Sequence, residues 1–92
     1  MKTSIIAINR VAPLQFEVVL QHGKRRENHI VRYVDGPLPG IQAETGLCAF
    51  LNTQPRAAKE LIRIIGDAFT GHEISLPQTL TVFSATEQLQ AA

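Results

Sequence analysis

Two stretches near the start of the chain, QFEVVLQH (residues 15–22) and ENHIVRYV (residues 27–34), alternate their side chains with a period of two. That period belongs to β-strands with one face buried, because successive side chains on a strand point to opposite sides. In the first stretch Phe16, Val18, Leu20 and His22 share a face, and Glu17, Val19 and Gln21 share the other. In the second, His29, Val31 and Tyr33 lie opposite to Asn28, Ile30, Arg32 and Val34. The pair reads as a β-hairpin. A four-residue loop, Gly23–Lys24–Arg25–Arg26, sets His22 opposite Glu27, Leu20 opposite His29, Val18 opposite Val31, Phe16 opposite Tyr33 and Glu17 opposite Arg32. Each of these cross-strand pairs is apolar, neutral or charge-compatible. A slip of one residue would mix the faces, whereas a slip of two preserves them, so alternation alone leaves that second register open.

The rest of the chain builds around this hairpin. SIIAINRV (residues 4–11) is β-branched and apolar and stops at Pro13, which predicts a first strand. DGPLPG (residues 35–40) holds two prolines and two glycines and is a break. Residues 41–52 contain the run LCAFL, too short for its periodicity to separate a strand from a short helix. After Pro55 one amphipathic helix is predicted, with Asn52 or Thr53 as its cap and Gly71 at its end. Its apolar stripe is Ala58, Leu61, Ile62, Ile65, Ala68 and Phe69. Arg56–Glu60 and Arg63–Asp67 are spaced as i,i+4 ion pairs, and Gly66 beside the stripe suits close packing against a sheet. HEISL (residues 72–76) and QTLTVFS (residues 78–84) are candidate strands, and Ser84 with Glu87 forms a capping-box pattern for a short terminal helix. The expected fold class is α+β: a single small domain over residues 1–92, with a hairpin-rich antiparallel sheet of 3–5 strands and one long amphipathic helix packed on one face. Both sheet faces carry apolar residues and one helix covers only one of them. The other face calls for a second layer, either the C-terminal segment or a second subunit.

Charge narrows the function classes. The net charge of +1 gives no global field for nucleic acid or membrane. Six cations face two acids in residues 1–34, a balance of +4, while residues 35–92 carry −3. Charged residues make up only 18%, which on so small a domain leaves much neutral or apolar surface and points to a covered face. The first ten residues are interrupted too early by Asn9 and Arg10 for a signal peptide, and no window approaches the ~18 apolar residues of a spanning helix. The expectation is a soluble, cytoplasmic chain without membrane contact.

No catalytic, cofactor or metal set emerges. His22, His29, His72 and Cys48 occur without the tight spacing of a zinc site. Cys48 lies within LCAFL, where a thiol is expected to be buried and inert, and neither a nucleophile elbow nor a phosphate-binding glycine loop is present. The remaining candidate is electrostatic: Lys24, Arg25 and Arg26 on the hairpin tip, backed by Arg32, are the nucleic-acid contact residues the chain offers. Three or four phosphate contacts bind weakly by themselves, and charged tips also serve to keep hairpin ends solvated. The expected function is therefore a non-catalytic domain acting through a protein partner or a homodimer, with nucleic-acid binding through Lys24–Arg26 as the alternative.

Overall fold

The computed structural model describes residues 2–82. Three long strands, β1 (Thr3–Ala12), β2 (Gln15–His22) and β3 (Arg25–Val34), form an antiparallel meander. A short strand, β4 (Gly40–Gln42), follows the Pro/Gly break and pairs with β3. Two helices come next, α1 (Thr45–Thr53) and α2 (Pro55–Thr70). The last strand, β5 (Gln78–Thr79), returns to the free edge of β1, giving the order β4-β3-β2-β1-β5 in one curled antiparallel sheet. The fold class is the expected α+β, with five strands and a second, shorter helix in place of the single helix.

The hairpin adopts the register slipped by two residues. His22 faces Arg25, Leu20 faces Glu27, Val18 faces His29, Phe16 faces Val31 and Glu17 faces Ile30. The loop is only Gly23–Lys24, with Gly23 at φ 61°. A two-residue hairpin turn of this kind requires a positive φ at its first central residue, and glycine takes it without steric cost. Arg25 and Arg26 therefore belong to β3 rather than to the loop. Faces survive the slip, which is why the buried set is the expected one.

β1 explains why its own sequence does not alternate. Bulges fall between Ile5 and Ala7 and between Arg10 and Ala12. An extra residue in one strand shifts the phase of everything after it. Thr3 and Ile5 point to the core before the first bulge; Ile8 and Arg10 take that face after it, opposite Val18 and Phe16.

One core joins sheet and helices: Ile5, Phe16, Val18, Leu20, Val31 and Tyr33 from the sheet, Leu47 and Leu51 from α1, Ala57, Leu61, Ile64 and Ile65 from α2, and Leu80 beyond β5. Both helices thus lie on the same face. The buried stripe of α2 is rotated about one residue from the expected one, with Ala57 and Ile64 inside and Ile62 only half-buried. Pro55 opens the helix as expected, but its N-cap is Gln54, without a side-chain capping bond. Gly71, left-handed at φ 81°, closes it. Glu60 does not pair with Arg56: its carboxylate accepts from the Thr81 amide (2.6 Å) and hydroxyl (2.8 Å), tying the chain after β5 to the helix. HEISL is not a strand, since pairing begins only at Gln78, after the cis Leu76–Pro77 bond. Cys48 is half-buried rather than enclosed, its thiol donating to the Ala43 carbonyl. Ser84 and Glu87 lie outside the described residues.

Gly66 sits where α2 crosses β3. A Cβ there would lie 3.1 Å from the Tyr33 hydroxyl oxygen, and the Tyr33 ring is held against Phe69 at 5.0 Å. Alanine in a helix interior is favoured over glycine by roughly 1 kcal/mol. That gain is expected in full only once the crowding oxygen is removed. Gly66→Ala should raise stability more in a Tyr33→Phe background than in the parent, measured by urea unfolding; equal effects in both would show that the hydroxyl does not set the glycine.

Candidate interaction surfaces

The four cations singled out from the sequence do not converge. Lys24 is in the turn, and Arg25 and Arg26, as neighbours on β3, point to opposite faces. Arg25 is on the helix side, 3.6 Å from Glu27. Arg26 is on the outer side, where its Nε donates to Gln21 at 3.4 Å. Arg32 shares the outer face with Arg26, about 20 Å along the strand at ~3.3 Å per residue.

On the helix side of the sheet, the two histidines of the hairpin join a polar chain. His22 Nε2 lies 3.1 Å from Glu27 Oε1, and its Nδ1 lies 3.0 Å from the Thr3 hydroxyl. A carboxylate only accepts, so in the neutral ring Nε2 donates to Glu27 and Thr3 donates to Nδ1. The same Glu27 oxygen is 4.0 Å from His29 Nε2, while His29 Nδ1 donates to Glu44, the residue just before α1. His29 is buried, and Phe50 of α1 meets the His22 ring edge-on at 5.5 Å. The expected His22–Glu27 partnership is present; Glu44 was not legible as a partner, since fifteen residues and a Pro/Gly break separate it from His29. The cluster works as a latch between β3 and α1. Among the described residues no group of three or more His, Cys, Asp or Glu side chains is placed to hold a metal ion.

The outer face of the sheet carries apolar side chains outside the core. Ile30 is 50% exposed and Val34 40%; away from that alternation, Val11 in the second bulge of β1 is 53% exposed and Leu38 on the loop before β4 is 90% exposed. Glu17 stands directly opposite Ile30, and Arg32 lies next along β3 on the same face, opposite Gln15. Among the described residues neither Glu17 nor Arg32 makes an ion pair.

Where α2 crosses the end of β3, Tyr33, Pro39, Lys59, Ile62, Arg63, Gly66, Asp67, Thr70 and His72 line an open groove of about 500 Å³. A shallower depression of about 280 Å³, lined by Arg56, Lys59, Glu60 and Arg63, continues along the helix. Among the described residues no helix is long and apolar enough to cross a membrane. In comparison with known proteins, no family model and no curated sequence matches the chain.

Proposed function

We propose that this chain is a non-catalytic interaction domain that pairs with a second copy of itself through the open face of its sheet. The carrying observation is the composition of that face around Glu17: half-exposed Ile30 and Val34 beside the acid Glu17 and the base Arg32, neither of which makes an ion pair among the described residues, while Arg26 at the other end of β3 is engaged with Gln21. A two-fold contact presents the same patch twice, so each subunit's Arg32 meets its partner's Glu17 while the apolar residues pack between them. A face with both charges and an apolar centre is complementary to itself, whereas a partner of single charge sign would satisfy only half of it.

Charge reversal tests this. At micromolar concentration the parent is expected to sediment as a dimer. Arg32→Glu or Glu17→Arg alone sets like charges across the contact and yields monomers, because such juxtapositions cost several kcal/mol. The double variant Glu17→Arg/Arg32→Glu restores both pairs and the dimer. A monomeric parent, or a double variant that stays monomeric, rejects the reading. Nucleic-acid contact through Lys24, Arg25, Arg26 and Arg32 stands second: Arg26 and Arg32 share a face, but Arg25 is turned away from them toward the helix side.

A further inference from the structure

The groove beside α2 lies on the opposite side of the molecule from the open sheet face and is built differently. We infer that this groove, with the Arg56–Lys59–Arg63 stripe beside it, binds an extended acidic peptide segment of a partner protein. This surface is separate from the self-pairing face and stands or falls independently of it.

Three observations carry the inference. First, the cations are available. Arg56 has Glu60 one turn away, but Glu60 spends both carboxylate oxygens on Thr81. Among the described residues Arg56, Lys59 and Arg63 form no ion pair. Asp67 is the one acid on the groove wall whose carboxylate is not so engaged, and it sits beyond Arg63, at the far end from Arg56.

Second, the spacing fits an extended chain. Lys59 and Arg63 are separated by about 6 Å along the helix at 1.5 Å per residue. Alternate side chains of an extended peptide repeat every ~6.6 Å on one side. Acids at positions i and i+2 of such a peptide therefore fall opposite these two cations; Arg56, about 4.5 Å from Lys59 along the helix at 1.5 Å per residue, reaches the next acid by the length of its side chain.

Third, the groove has an apolar floor with placed polar groups. Gly66, lacking a side chain, lets the Tyr33 hydroxyl lie close against α2 at the groove floor, where it bonds to no described residue. Ile62 and Pro39 supply the apolar walls. His72 is oriented: the Thr70 hydroxyl donates its single hydrogen to the helix carbonyls of Gly66 or Asp67, so His72 Nδ1, 2.5 Å away, is the donor to Thr70. The other ring nitrogen of His72, Nε2, is left for a ligand. A single-stranded nucleic acid has a similar phosphate spacing, but it gains its affinity from bases stacked on aromatic faces. Among the described residues lining this groove, Tyr33 supplies the large aromatic ring, and that ring is buried against Phe69.

The test uses the full chain and a fluorescein-labelled hexapeptide, Glu-Ser-Glu-Leu-Glu-Ser, read by anisotropy. Saturable binding at low salt that weakens as salt is added is expected. Lys59→Glu/Arg63→Glu should weaken it about tenfold or more, since each change replaces an attraction by a repulsion. Lys24→Glu/Arg25→Glu on the hairpin tip should leave it unchanged, and far-UV circular dichroism verifies that each variant is folded. The inference is overturned by absence of saturable binding, by binding that the helix variant does not alter, or by tighter binding of a labelled single-stranded oligonucleotide of equal charge, which would assign the stripe to nucleic acid.

Discussion

Phe16→Ala is expected to destabilise the domain by about 3–5 kcal/mol, the usual cost of truncating a fully packed aromatic side chain. Phe16 is 1% exposed and is the largest of the fully buried side chains. Its position opposite Val31 and Arg10 places it at the middle of the meander, under the helices. The loss extends past the ring. The Arg10 guanidinium lies 5.7 Å from the Phe16 centroid and 5.3 Å from that of Phe69, anchored by its bonds to the Pro13 carbonyl. Removing the ring leaves this cation one aromatic face in place of two, and cation–π contacts at such half-exposed sites are worth about 0.5–1 kcal/mol each. Small domains have total stabilities of about 5–15 kcal/mol, so this single change should bring the chain close to unfolding. Urea denaturation followed by circular dichroism measures it. A loss under about 1 kcal/mol would place the centre of the core elsewhere.

The second large effect belongs to His29. Truncating it to alanine removes the donor to Glu44 and the ring that stands beside Glu27, and leaves a void where the buried ring stood. Hydrogen bonds to charged groups contribute about 1.5–3 kcal/mol and the void adds to that, so a loss of about 2–3 kcal/mol is expected. Glu44→Gln should cost clearly less, because the Glu44 side chain is 56% exposed and water screens its charge. If Glu44→Gln cost as much as His29→Ala, the latch would depend on the ion pair rather than on the buried ring.

What could be read before the structure follows from physical range. Alternation in β2 and β3 is a property of adjacent residues, so both strands and both faces were legible, and so was the amphipathic α2. The register was not, because faces are blind to a shift of two; the turn preference of Gly23 decided it. α1 was hidden because LCAFL presents five apolar residues in a row and Gly46 weakens any helix signal. β4 and β5 have three and two residues, too short for any period, and exist only because longer strands offer them an edge. The candidate surfaces were partly legible. Arg32 and the tip cations could be named, but which of them face the same way depended on the register. The freedom of Arg56 depended on Glu60 turning to Thr81, a contact across twenty-one residues.

The return of β5 to β1 bears on how the chain assembles as it is made. The meander of β1, β2 and β3 uses only residues 3–34 and can form early in synthesis, as local antiparallel pairings do. The β1 edge at Ser4 and Ile5 then waits for Gln78 and Thr79, almost the whole described chain later. Leu80, which bonds to the Thr3 carbonyl, arrives last of the buried core residues described. A nascent chain stalled before residue 78 would therefore display an unclosed strand edge beside an incomplete core, the kind of surface that chaperones hold and that neighbouring chains invade.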